Sequence, residues 1–328
     1  MNTAAVPYFR GILLFILVVS SCCPVLARQQ ISVSPIDTII DAHPSTHINR
    51  SNIWMMAGIT TGLYGGALAV LSNTWYNQYP KSRFHSFDDT PEWLQMDKAG
   101  HFYSAYMEGK ISREMWRCTG LPEKQQVWIG GLSGFVYQSV IEILDAYSAE
   151  WGFSWADMAA NAGGSALMIS QELVWHEQRI QLKFSAYPKR YQDPYLKTRT
   201  DQLFGDNLAE RTLKDYNAQT YWASVNLHAF MPKSRLPTWL NIALGYGANG
   251  MLKGDNNIWE DTNGIQHDYS AIPRYRQFYL SPDIDFTRIP TRRKGVKVLF
   301  QVLNMFKFPA PTLELTSRGV LRGHLLHF

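Results

Sequence analysis

Asp97, His101, Glu142, Asp145, Asp157 and Asn161 are the residues of this chain whose types and spacing could do chemistry together. Side chains three or four residues apart share a helix face, so the spacing pairs Asp97 with His101, Glu142 with Asp145, and Asp157 with Asn161. Lys98 adds an ammonium beside the first pair. The segments around them are apolar and rich in glycine, and a buried polar group without a partner costs about 1–3 kcal/mol, a charge more. The three pairs are therefore expected to meet in one interior cluster. His101, Glu142, Asp145 and Asp157 form a donor set suited to Zn, Mn or Fe, and a metal held there would turn bound water into a nucleophile. Without metal, His101 would serve as a general base oriented by a carboxylate. The same residues also fit a purely structural network: Asp157 capping a helix with Ser154, Lys98 neutralising Asp145 or Glu142, and His101 donating to a carboxylate in a satisfied polar core. No Gly-x-Ser-x-Gly, His-Glu-x-x-His or phosphate loop accompanies them.

Four helices must position this cluster. Residues 51–80 contain no Asp, Glu, Lys or Arg, and Ile53 to Leu71 is long enough to span about 30 Å of hydrocarbon. Gly58, Gly62 and Gly66 line one face there, open to close approach by another helix in a membrane or in a soluble bundle. Trp54 at one end and Trp75, Tyr76 and Tyr79 at the other suit a membrane boundary. Thr90-Pro91 predicts a helix start, and Gly120-Leu121-Pro122 ends that helix after about Arg117. A third helix runs from Glu123 to about Tyr147 with Gly130 and Gly134 four apart. Ser154 to Asp157 matches a capping pattern opening a fourth, which reaches about Glu177.

Beyond Arg179 the periodicity changes. Residues 179–219 read as a charged, proline-interrupted connection with one short helix near Asn207 to Asp215. Alternation around Tyr221–Phe230, Leu240–Gly247 and Phe278–Phe286 predicts strands, and Thr312–Ser317 and Val320–Phe328 predict two more. Residues 296–306 fit a helix through Val296, Leu299, Phe300, Leu303 and Phe306 and a strand through Val296, Val298, Phe300 and Val302; the helix is favoured, covering the sheet in preference to lying on an anionic membrane surface. About five strands cannot close an eight-stranded barrel, so an open antiparallel meander packed on helices is expected.

At the N-terminus Arg10 precedes the apolar run Gly11 to Val19, the layout of an export signal. Val19-Ser20-Ser21-Cys22 suits lipidation at Cys22, while Val25-Leu26-Ala27 suits ordinary signal cleavage; an uncleaved anchor is the blander option. Residues 28–50 read as a tether. Thirty-one Lys plus Arg against 27 Asp plus Glu leave a net charge of +4 with no long basic run, which argues against a nucleic-acid partner.

Three motifs, Asp97-Lys98-x-x-His101-Phe102, Glu142-x-x-Asp145 and Ser154-x-x-Asp157-x-x-x-Asn161-x-x-Gly164, resemble the YfiM-like family of predicted periplasmic lipoproteins, a domain of unknown function. More distantly, the first and last resemble VanZ-like membrane proteins, whose Gln and Arg positions have no counterpart here. The first resemblance implies an envelope location and a helical core, without an established reaction. The expected fold is α+β: an export signal (1–27), a tether (28–50), a four-helix small-residue bundle (51–178), the connection (179–219) and a β-meander (220–328). The expected role is structural or binding in the cell envelope, against membrane lipid or envelope components and on the periplasmic side, with the outer membrane favoured. No cofactor is firmly implied; a divalent metal is an option that the donor set allows. The alternatives are a membrane-associated hydrolase acting on an envelope lipid or glycan, and a binder or pore component with a cavity lined by Trp222, Asn226 and Tyr246.

Overall fold

Glycine decides how close the helices come. A Cβ on Gly134 would lie 2.1 Å from the Ala105 carbonyl oxygen, and one on Gly164 would lie 2.1 Å from that of Phe102. Only a residue without a side chain fits at either point. The structure is a computed structural model and describes residues 50–74, 80–261 and 263–327. The export signal, Cys22, nearly all of the tether, Trp75, Tyr76, Tyr79 and Phe328 lie outside the described residues. Four long helices come first: α1 (Arg50–Thr74), α2 (Met96–Arg117), α3 (Glu123–Asp145) and α4 (Trp155–Trp175). The two glycines above bring α3 and α4 onto α2. Tyr106, Met107, Val127, Met168, Ile169 and Leu182 form the apolar core that joins these three helices to the first strand.

Helix α1 packs differently. Its Met56 meets Met115, Trp116 and Leu121, yet a Cβ at Gly58, Gly62 or Gly66 would meet nothing within 4 Å. The face expected to receive a neighbour is bare among the described residues. By length and composition α1 and α3 could each cross a membrane, with 6% of the α1 window and 33% of the α3 window buried. Helix α3 earns its burial between α2 and its neighbours; α1 remains peripheral.

Helix α2 begins later than Thr90-Pro91 predicts. Trp93, Leu94 and Gln95 adopt left-handed backbone (φ 47°, 49° and 62°), and the helix starts at Met96. Such residues cost roughly 1–2 kcal/mol each. Distant groups hold them: the Trp93 amide donates to the Gly254 carbonyl at 2.7 Å, Tyr246 donates to the Leu94 carbonyl, and Arg276 donates to the Gln95 side chain.

The C-terminal half is a six-stranded antiparallel sheet in the order β1-β2-β3-β6-β7-β8. Its strands are β1 (Ile180–Ala186), β2 (Gln219–Asn226), β3 (Leu240–Asn249), β6 (Tyr275–Ile284), β7 (Ala310–Thr316) and β8 (Leu321–His327), with a separate hairpin of β4 (Ile258–Glu260) and β5 (Gln266–Asp268). Strand β1 and helix α5 (Pro194–Phe204) fall inside the stretch read as a connection, beside the anticipated short helix α6 (Leu208–Lys214). Residues Leu227–Phe230, expected to extend β2, form the short helix α7, and Lys294–Leu303 forms α8 as expected.

The register sorts the two faces. Leu182, Ala223, Leu244, Leu280 and Leu313 form one row across five strands; Lys183, Trp222, Gly245, Tyr279 and Glu314 form the next, on the opposite face. The polar row is the inner one. Lys183 and Asp283 pair at 2.7 Å with side-chain exposures of 0% and 2%. Ser224 donates to Asp283, Asn241 to Ser224, and Asn226 to Asn241. Trp222, Tyr279 and His327 meet over this face, which requires the sheet to curl around it. On the outer face, α2 covers the β1 and β2 end through Tyr103, which meets Phe184 and Tyr221. Further along, Leu244 and Leu313 are 57% and 52% exposed, and Phe278, Leu280 and Leu315 are exposed as well.

Candidate functional site

The cluster forms where the start of α2, the end of α3 and the start of α4 converge. From α2, Lys98 Nζ lies 2.5 Å from Asp89, 3.2 Å from Asp97 and 3.2 Å from Asp157. One turn on, His101 Nε2 faces Glu142 Oε1 at 3.6 Å and one oxygen each of Asp97 and Asp157 at 4.0 Å. Its Nδ1 meets Asn161 Oδ1 at 3.1 Å. If Nδ1 carries the proton it donates to that amide oxygen, which leaves the Nε2 lone pair turned toward the carboxylates.

Local sequence explains the placements. Ser154 caps α4 by accepting from the Asp157 amide at 3.0 Å, as its spacing predicts, and its hydroxyl donates to Asp89 at 2.6 Å. The Ser154 amide in turn donates to Glu142 Oε2 at 3.2 Å, tying the end of α3 to the start of α4. Glu142, Asp157 and Asn161 are buried. Glu142 Oε1 and Asn161 Nδ2 are buried without a hydrogen-bond partner, so the pocket holds donor and acceptor capacity that the protein does not use.

Burial pushes Glu142 up to about 7, with His101 countering it, and burial together with Asp97 pushes Asp157 up to about 8. Burial also works against the charged forms of Asp97, Lys98 and His101, but their opposite charges prevail. His101 and Lys98 hold Asp97 below the usual carboxylate range; Asp97, Asp157 and Glu142 raise His101; and Asp97, Asp89 and Asp157 raise Lys98.

The structure therefore brings Asp97, Lys98, His101, Glu142, Asp157 and Asn161 together. Asp97, His101 and Asp157 offer ligand atoms within 4.8 Å of one another. Asp145 is not in that group; it acts on the cluster as a like charge that helps raise Glu142. Lys98 pairs with Asp89, Asp97 and Asp157 instead of Asp145 or Glu142. Two participants escaped the sequence reading: Asp89, within an apparent surface loop, and Tyr216, whose hydroxyl donates to Asp97 at 2.6 Å from the far side of the chain. Neither belongs to a periodic pattern. Trp222 and Asn226 lie on the inner sheet face and Tyr246 on the outer, so these three do not line one cavity.

Fold and site together define an α+β protein with a carboxylate–imidazole–ammonium cluster inside its helical half. Residues 86–171 match the family described as predicted periplasmic lipoprotein (DUF2279), consistent with the YfiM-like resemblance, and that span holds every member of the cluster except Tyr216. No curated protein and no solved structure matches the chain.

Proposed function

We propose that this is an exported envelope protein that holds a divalent cation in its helical half. The observation that carries the reading is the convergence of three carboxylates, from Asp97, Glu142 and Asp157, on His101 Nε2. With Asp89 included, four carboxylates surround one ammonium and one imidazole, an excess of negative charge even when His101 is protonated. Excess charge in a buried site is relieved by protons or by a cation. The mixed nitrogen and oxygen set suits Zn, Mn or Fe, and Asn161 would fix the ligating tautomer of His101. The test is metal analysis of purified protein beside His101→Ala. Stoichiometric metal lost with the imidazole supports the site. A metal-free wild type whose stability ignores added Zn or Mn overturns it and leaves a scaffold network. A cation here would also activate water, so turnover of an envelope lipid or glycan ester by the loaded protein, abolished in His101→Ala, would extend the reading to a hydrolase.

The same reading includes membrane association, with acylation at Cys22 and the outer membrane as the favoured site. It is supported by the bare apolar α1 and by the exposed leucines on the outer sheet face. Recovery of the mature chain in the detergent-released membrane fraction is expected; a fully soluble chain overturns this part.

A further inference from the structure

A second site lies where the helical half meets the sheet. A cavity of about 350 Å³ opens between α2, the end of α4, β1 and α8. That volume falls within the usual range for small-molecule sites. Met107 and Ile111 of α2 face Val298 and Val302 of α8 across it, with Met305 beside them.

The wall carries three acids, Glu114, Glu172 and Glu177, and three cations, Lys110, Arg113 and Arg288, but the pairing among them is uneven. Glu114 is held by Arg113 at 2.6 Å and Arg117 at 2.8 Å, Glu172 by Arg113 at 2.9 Å, and Glu177 by Arg179 and Arg288 at 2.8 Å each. Every acid that lines the cavity thus already has an arginine. Lys110 has no such partner. Its Nζ donates to Gln181 Oε1 at 3.1 Å, and among the described residues no carboxylate lies within ion-pair distance of it. Gln181 Oε1 also accepts from Asn304, which fills its second lone pair. Arg113, on the same helix and the same wall, is already committed to Glu114, Glu172 and, at 3.7 Å, Glu123. Lys110 therefore presents an ammonium without a counter-ion to a cavity that also exposes Met107, Ile111, Val298, Val302 and Met305.

We infer that this cavity binds an anionic amphiphile, its carboxylate or phosphate headgroup at Lys110 and its alkyl chain between α2 and α8. The headgroup supplies the missing counter-charge, and charge-assisted hydrogen bonds are the stronger kind. The chain covers Met107, Ile111, Val298 and Val302, which explains why a charged wall and an apolar one share one cavity. Burial and the nearby Lys183 push the Lys110 ammonium down, with Asp285, Glu114 and Glu172 only partly countering from beyond ion-pair distance. The site is independent of the cation cluster: nine residues separate Lys110 from His101, roughly 13 Å along the helix.

The full chain in non-ionic detergent, analysed by native mass spectrometry, provides the test, with dodecanoate as probe and dodecanol and acetate as controls. One dodecanoate per chain is expected, bound about tenfold or more tighter than dodecanol, with no acetate retained. Lys110→Met should weaken dodecanoate by about 10- to 100-fold and leave dodecanol unchanged. Val302→Phe, which fills the cavity from α8 and leaves the cations in place, should abolish both. Equal retention of dodecanoate and dodecanol, retention of acetate as strong as that of dodecanoate, or unchanged dodecanoate binding in either variant would each overturn the inference. His101→Ala should bind dodecanoate normally, so failure of the cation site and failure of this one are distinguishable.

Discussion

Gly134→Ala tests whether backbone contact between α2 and α3 sets the geometry of the cluster. The added carbon would sit 2.1 Å from the Ala105 carbonyl oxygen, where ordinary contact begins near 3.4 Å, and the obstacle is backbone that cannot rotate away. The helices must part by about 1 Å, enough to forfeit a quarter to a half of the dispersion energy at each contact along the seam. Alanine returns about 1 kcal/mol of helix propensity, while overpacking costs about 1–3 kcal/mol, so the net loss is expected to lie at about 0–2 kcal/mol. Geometry makes the functional loss larger. Ala105 lies one turn from His101 and Gly134 two turns from Glu142, so parting the helices stretches the 3.6 Å approach of Nε2 to Oε1. Cation affinity is expected to fall about 10- to 100-fold, the usual scale for disturbed ligand positioning. Gly66→Ala is the control: its Cβ enters open space, so it should be neutral or stabilise by up to about 1 kcal/mol. Denaturant unfolding followed by circular dichroism, together with calorimetric Zn and Mn titration, measures both effects. If Gly134→Ala keeps the wild-type midpoint and cation affinity, the argument that this contact fixes the site fails.

Two further outcomes follow from local geometry and charge. His176 ends α4 in left-handed backbone (φ 56°) with its side chain 68% exposed, so His176→Gly should stabilise the protein by about 1 kcal/mol; a lowered melting temperature would contradict this. Cation binding should tighten from pH 6 through pH 8 and level only above about pH 9. His101 is raised above its ordinary 6.5, Glu142 to about 7 and Asp157 to about 8, so each holds a proton at the acid end that the cation must displace. A flat affinity profile, with no protons released on binding, would refute that coupling.

The parts legible in the sequence are those fixed by neighbours in the chain. Gly120-Leu121-Pro122 ends α2 and Ser154 caps α4 because both signals act within a few residues. The start of α2 was not legible, since the groups that hold Trp93 to Gln95 left-handed come from Gly254, Tyr246 and Arg276. Strand β1 carries a readable alternation, Ile180, Leu182, Phe184 and Ala186 against Gln181, Lys183 and Ser185, but Pro188 and the charged residues after it disguise the stretch as a linker. Alternation also gives a period without saying which face turns inward. At the site, helical spacing marked His101, Asp97, Glu142, Asp157 and Asn161. Periodicity could not assign Lys98 its partners, because Asp89 lies in a loop and the geometry there depends on how three helix ends meet.

The outward leucines and inward amides of the sheet reverse the usual economics of folding. Curling these strands in water withdraws Lys183, Asp283, Asn226 and Asn241 from solvent while Leu244, Leu280 and Leu313 stay wet, so the hydrophobic driving force does little to close them. Were an apolar medium to bathe the leucines, as the proposed membrane association requires, the lattice of inner hydrogen bonds would become the best refuge left for the polar groups. Under that reading the C-terminal half would close last, where its surroundings change, and a chain stalled beforehand would offer the edge of β8, unpaired among the described residues, to any strand nearby.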